Sequence, residues 1–179
     1  MGLTASRPRG TWLVAWAALL TSLTLLPASA WPATAQAGCR NGEVPSRQLT
    51  QGEARRAVKC LINAQRTGKR QLELHKRLNG PARRHARKMR RHRCLAHVCP
   101  GEAELRRRLR KYRAGSARSS YSELIAINGA SASPRDIVLQ WITSPVHKAL
   151  LLGRFEHLGV GFATGGGLAY YTVDLGLRG

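Results

Sequence analysis

Three polar residues stand out because each is flanked by apolar or cysteine-fixed sequence: His97 within Cys94-Leu-Ala-His-Val-Cys99, Glu123 within Tyr-Ser-Glu-Leu-Ile-Ala-Ile, and His147 beside Ser144-Pro145. A histidine with a carboxylate is the pair that a general base and its orienting partner require. Two histidines with a carboxylate can instead hold a metal ion whose remaining positions are water. A disulfide across Cys94 and Cys99 would confine the His97 imidazole to a narrow range of positions. No G-x-S-x-G or comparable nucleophile signature accompanies these residues.

The compartment decides how the cysteines and charges are read. Arg7 and Arg9 precede a Lys/Arg-free apolar stretch from Trp12 to Leu26, followed by Pro27-Ala28-Ser29-Ala30. This is the pattern of a secretory signal peptide over residues 1–30, with Ala35-Gln36-Ala37 offering a cleavage site as late as residue 37. The apolar core is short of the ~20 residues a membrane span needs, so no transmembrane span is expected after cleavage. The mature protein is expected to be secreted, either extracellular or associated with the cell wall. Outside the cytosol the four cysteines, Cys39, Cys60, Cys94 and Cys99, imply a disulfide framework with three possible connectivities. Cys39–Cys60 with Cys94–Cys99 is preferred, because the second pair closes a very short loop and the first ties a loose arm to the helix after it. Two such links would add roughly 2–4 kcal/mol each. A cysteine zinc site competes poorly, since Cys94 and Cys99 lack both the usual tight spacing and a matching partner pair.

The elements that must position His97, Glu123 and His147 can be read from periodicity. The 179 residues suit one domain, placed at residues 51–179 after an N-terminal arm at 31–50 held by a disulfide. Thr50-x-x-Glu53 is a capping-box signature ahead of Ala54, Ala57, Val58, Leu61 and Ile62 at helical spacing, and Thr67-Gly68-Lys69 ends that helix. Asn79-Gly80-Pro81 predicts the start of a second helix running to Arg93, with Ala82, Ala86 and Met89 as its apolar stripe. Ser133-Pro134-x-Asp136 opens a third helix, and Ser144-Pro145 a short fourth through Leu152. The segment Tyr121–Ile127 lies between two soft stretches. Leu158, Val160 and Phe162, then Ala169, Tyr171 and Val173, alternate around Gly165-Gly166-Gly167 as a β-hairpin. Helices first and strands last, without βαβ spacing, predict an α+β domain.

Thirty Lys and Arg against nine Asp and Glu give a formal charge of +21, which falls to +19 once the two arginines of the signal peptide are removed. Thirteen of the basic residues fall in 83–113, against Glu102 and Glu104 alone. Arg83, Arg84, Arg87, Lys88, Arg90 and Arg91 surround the stripe of the second helix, and the run from Arg106 to Arg113 repeats the bias. Such a surface is either a solvated helix face or a contact for a polyanion. A secreted protein meets polyanions at cell walls and membranes, so nucleic acid is not the expected physiological partner.

The order of these segments resembles the CAP superfamily, or SCP domains: the cysteine-rich secretory proteins, antigen 5 and the pathogenesis-related class 1 proteins, here closest to short secreted bacterial members. The resemblance runs over about residues 53–176, through the His97 loop, Glu123-x-Ile125-Ala126, Trp141-x-x-Ser-Pro-x-His147, Leu158-Gly-Val-Gly161 and Tyr170-Tyr-Thr172. It implies an α-β-α sandwich with a central antiparallel sheet and a cleft carrying two histidines and two acids. His97 matches the first histidine, where bacterial members read Ser-His-Val-Ser-Pro and this chain reads Ala96-His97-Val98-Cys99-Pro100. Glu123 matches the acid of the Gly-Glu-Asn segment, with Ser122 for the glycine and Leu124 for the asparagine. Ser144 stands where the second acid is expected and Tyr170 where the second histidine is. His147 is shared with bacterial members, and with His97 it forms the candidate metal pair, for Zn²⁺; no cofactor is required. The resemblance implies a non-catalytic extracellular module that binds a lipid, a cell-wall component or a protein through a degenerate His/Glu cleft. Two alternatives remain: a cationic antimicrobial or polyanion-binding protein acting through 83–113, and a weak hydrolase using His97 and Glu123. An enzymatic role is not expected.

Overall fold

The structure, a computed structural model, describes residues 38–179. The expected signal peptide lies outside the described residues. After a 3-10 turn at Ser46–Gln48 come α1 (Gln51–Gln65), β1 (Glu73–Leu74), α2 (Lys76–His92) and two four-residue helical turns, α3 (Leu105–Arg108) and α4 (Arg110–Arg113). Then follow β2 (Ser119–Gly129), α5 (Pro134–Thr143), α6 (Pro145–Leu151), β3 (His157–Gly165) and β4 (Leu168–Arg178). The sheet order is β1-β3-β4-β2; β4 pairs antiparallel with both β2 and β3, and β1 adds a two-residue parallel edge beside β3.

Local sequence chemistry explains most boundaries. Thr50 and Glu53 close a reciprocal capping box at the start of α1, the backbone amide of Thr50 donating to Glu53 at 2.8 Å. Ser133 and Asp136 do the same for α5, with Pro134 in the first turn. The hairpin and both expected disulfides, Cys39–Cys60 and Cys94–Cys99, are present. The arm is pinned by more than its disulfide: Ser46 is buried, its Oγ donating to the Ala132 carbonyl at 2.5 Å and standing 2.8 Å from the Tyr171 hydroxyl. Arg66, just after α1, is also buried, and its guanidinium donates to the carbonyls of Arg70, Leu151, Gly153 and Phe155.

Two boundaries differ from expectation. The second helix begins at Lys76, capped by His75, and Pro81 sits inside it rather than in its first turn. Burial of Leu78 and Pro81 extends the apolar stripe one turn earlier, and that gain outweighs the one helical hydrogen bond that a proline forgoes. The segment around Glu123 is an eleven-residue strand that consumes the soft residues at both of its ends.

Strands β3 and β4 are buried almost continuously rather than alternately, the mark of a sheet covered on both faces. On one face α1 and α5 bring Ala57, Val58, Leu61, Ile137 and Val138 into the core. On the other, α2 crosses so closely over β3 that a Cβ at Gly159 or Gly161 would overlap the helix backbone at Leu78–Asn79 or Ala82–Arg83. Polar side chains protect the open edge of β3. Gln51 donates to the Val160 carbonyl and accepts from the Phe162 amide, both at 3.0 Å, while Asn79 accepts from the Val160 amide.

Candidate functional site

Sheet register builds the site in rows, because directly opposed residues on antiparallel strands point to one face. Glu123 of β2 is opposite Asp174 of β4, which is opposite Gly159 of β3. The next row is Ile125, Thr172 and Gly161, and the one after is Ile127, Tyr170 and Ala163. Over this face lies α2, whose His85 is fully buried. The Cys94–Cys99 loop then carries His97 back over the strand glutamate, and α3 brings Arg108 to it.

The result is a buried polar cluster of His85, Glu102, Arg108, Glu123 and Asp174, with His97 at its mouth. His97 Nδ1 is 2.8 Å from Glu123 Oε1, and the His97 side chain is 59% exposed against 1% for Glu123. The Arg108 guanidinium faces both oxygens of the same carboxylate: Nη2 donates to Oε1 at 2.9 Å, and Nη1 stands 2.7 Å from Oε2 as an ion pair. Nη2 also donates to the His97 carbonyl at 2.9 Å, which fixes the loop and the acid to one cation. His85 Nδ1 pairs with Glu102 Oε2 at 2.7 Å, and the Cys99 amide donates to that same oxygen. His85 Nε2 lies 3.8 Å from Glu123 Oε1.

Electrostatics follow from this packing. Burial acts to raise the Glu123 pKa, but the hydrogen bond and charge of Arg108, helped by His85 and His97, outweigh it and hold the carboxyl below its ordinary range. Asp174 has no such cation on its own oxygens. Complete burial, then the neighbouring Glu123 charge, push its pKa well above the ordinary carboxylate value. The sign of the linkage is opposite for the two groups: Asp174 contributes stability fully present below the unfolded aspartate pKa of about 3.9, and lost as pH rises through its raised folded value. Asp174→Asn keeps a donor and removes the titration. The variant should therefore match wild type near pH 4 and exceed it increasingly toward pH 8 in urea unfolding. Parallel pH profiles for the two proteins would show that Asp174 is already ionised in the fold.

The residues expected from sequence divide into separate groups. His97 and Glu123 come together. His147 does not join them: its Nδ1 is 3.0 Å from Ser144 Oγ, a local pair at the junction of α5 and α6. Tyr170 lies on the same face as Glu123 but two rows away, filling an apolar cluster with Met89 and Cys99. Arg83, Arg84, Arg87, Arg90 and Arg91 are exposed and Lys88 is half-buried. Sequence reasoning missed His85, Glu102, Arg108 and Asp174. His85 had a usable signal, since it continues the stripe of Leu78, Ala82 and Met89.

As chemistry, the site presents one imidazole, oriented through Nδ1 by a carboxylate whose charge Arg108 neutralises. Among the described residues no hydroxyl or thiol hydrogen-bonds to His97. The donor set for a metal is equally short. The one group of three ligand types within 4.8 Å among the described residues is His85, Cys99 and Glu102, and the Cys99 sulfur is tied in a disulfide. Two donors remain, already bonded to one another, with Arg108 Nη1 3.9 Å from Glu102.

A mainly antiparallel sheet between helical layers, with a loop histidine seated on a strand glutamate, defines the architecture of an SCP-type sandwich. The chain belongs to the cysteine-rich secretory protein (CAP) family, whose model matches residues 47–175. Among solved structures it is similar to an SCP-domain extracellular protein of Bacillus anthracis (20% identity, TM-score 0.58), covering 72% of this chain and 41% of that one. It is also similar to an outer surface protein of Borrelia burgdorferi (21% identity, TM-score 0.58), covering 68% of this chain and 90% of the other. A cysteine-rich secretory protein of Staphylococcus aureus aligns at 15% identity and TM-score 0.50, over 72% and 39% of the two chains. Thus the chain spans less than half of two of these three proteins. No curated protein matches it in sequence.

Proposed function

We propose that this chain is an extracellular, non-catalytic binding module, and that its His97–Glu123 pair is a structural charge lock rather than a reactive or metal centre. The observation that carries the reading is Arg108 seated on both oxygens of Glu123, 2.9 and 2.7 Å away. That cation neutralises the carboxylate and takes up a position on each of its oxygens. Ser144 and Tyr170 stand where the resemblance places the second acid and second histidine, and His147 pairs with Ser144 rather than joining His97, so the residues present do not fit the expected Zn²⁺ site. The signal-peptide pattern at the N-terminus supports an extracellular setting, as do the extracellular and outer-surface descriptions of two similar proteins. No helix among the described residues is long and apolar enough to cross a membrane. The ligand classes that suit such a setting are a lipid, a cell-wall component or another surface protein.

Mass spectrometry of what co-purifies with the secreted protein tests this reading. A compound recovered unchanged after prolonged incubation is the expected result. Chemical conversion of that compound, abolished in Glu123→Gln at unchanged fold, would overturn it in favour of a hydrolase.

A further inference from the structure

The basic start of α2 is brought face to face with the second arginine-rich run of the sequence. Between the first half of α2 and the α3–α4 turns lies a groove of about 550 Å³. Lys76, Arg77 and Arg84 line one wall, Arg107, Arg110 and Lys111 the other, and no acid lines it. Arg108 also lines the groove, where it is neutralised by Glu123. The other six cations have no carboxylate within salt-bridge distance among the described residues. The walls touch through one uncharged acceptor, Arg77 Nη1 donating to the Lys111 carbonyl at 3.2 Å.

Six unpaired like charges around one concavity destabilise the empty fold, and a bound polyanion relieves that repulsion. Guanidinium forks match the oxygens of phosphate, and a trough with cations on both walls suits a strand of anions lying between them better than a flat bilayer surface. The lining holds no aromatic side chain, so nothing there stacks a nucleobase. We infer that this groove binds a linear polymer of repeating phosphate groups without aromatic substituents. The inference rests on the extracellular binding reading and names the ligand class for it.

Short-chain inorganic polyphosphate is the probe, measured by calorimetry over a range of salt against single-stranded DNA and phosphatidylglycerol vesicles at equal phosphate. One variant reverses three exposed groove charges (Arg84→Glu, Arg107→Glu, Lys111→Glu). A control reverses three on α2 that do not line the groove (Arg83→Glu, Arg87→Glu, Arg91→Glu). The groove variant should weaken polyphosphate binding on the order of 100-fold and flatten the log-affinity against log-salt slope by about 2, with a much smaller loss in the control. Equal losses in both variants, tighter binding of DNA or vesicles, or no polyphosphate binding at low salt would each overturn the inference. These failures are separable from failure of the binding-module reading. That reading falls with a Glu123-dependent chemical conversion or with tight His97-dependent Zn²⁺ binding, neither of which involves the groove.

Discussion

Arg108→Met should lose about 3–5 kcal/mol of folding stability at neutral pH, the cost of stranding a buried carboxylate without its cation. Both side chains are buried, at 7% and 1% exposure, so solvent screens the pair little. Its pH dependence follows from the signs. In wild type the Glu123 carboxyl is held low, so its contribution is complete above the unfolded glutamate pKa of about 4.3 and fades as pH falls through the folded value. Without Arg108, burial is left to dominate and raises that pKa, so the variant instead loses stability as pH rises. The gap between the two proteins should therefore widen from pH 4 to pH 8. Adding Glu123→Gln to Arg108→Met removes both charges and should recover much of the loss, a coupling that a double-mutant cycle measures directly. Additive losses in the cycle would show that the pair is not the unit described.

The second large effect concerns backbone approach. Gly161→Ala should cost about 3 kcal/mol or more, at the upper end of overpacking substitutions, because the added methyl meets helix backbone at Ala82 and Arg83. No rotamer change can relieve such a contact. Displacing α2 from β3 would also disturb the burial of His85, which sits three residues further along the same helix. Thermal unfolding checks the prediction. A midpoint within a degree or two of wild type would mean that α2 has room the structure does not show.

Most elements were legible because their signals are local. The capping boxes at Thr50 and Ser133, the glycine-centred hairpin and the short cysteine loop each depend on residues within a few positions of one another. Helix α2 was mis-started because Asn79-Gly80-Pro81 is a strong local cap pattern, and only the tertiary burial of Leu78 overrides it. Two of the six residues at the site, His97 and Glu123, were visible, first from the apolar and cysteine-fixed sequence around them and then from the resemblance. Arg108 was not, since nothing local separates the one inward arginine of Leu-Arg-Arg-Arg-Leu from its exposed neighbours. Its partner is fifteen residues away, on a strand. Asp174 was half legible: assigning the alternating apolar positions Tyr171 and Val173 to one face leaves Thr172 and Asp174 on the other. That this other face is also buried depends on where α2 lands.

The +21 formal charge is resolved into distinct roles by the fold. Arg66 and Arg108 are internal struts, six cations line one groove, and Arg83, Arg87, Arg90 and Arg91 face solvent. A basic composition is thus the sum of structural and surface arginines, and only the second kind should respond to salt.

The commitment of Glu123 to Arg108 is tested most directly by calorimetric titration of the metal-free wild-type protein and of His97→Ala with Zn²⁺. If the carboxylate is already occupied by the guanidinium, neither protein shows tight one-to-one binding and the two heat traces coincide. Tight stoichiometric binding by wild type that disappears in His97→Ala would contradict the account.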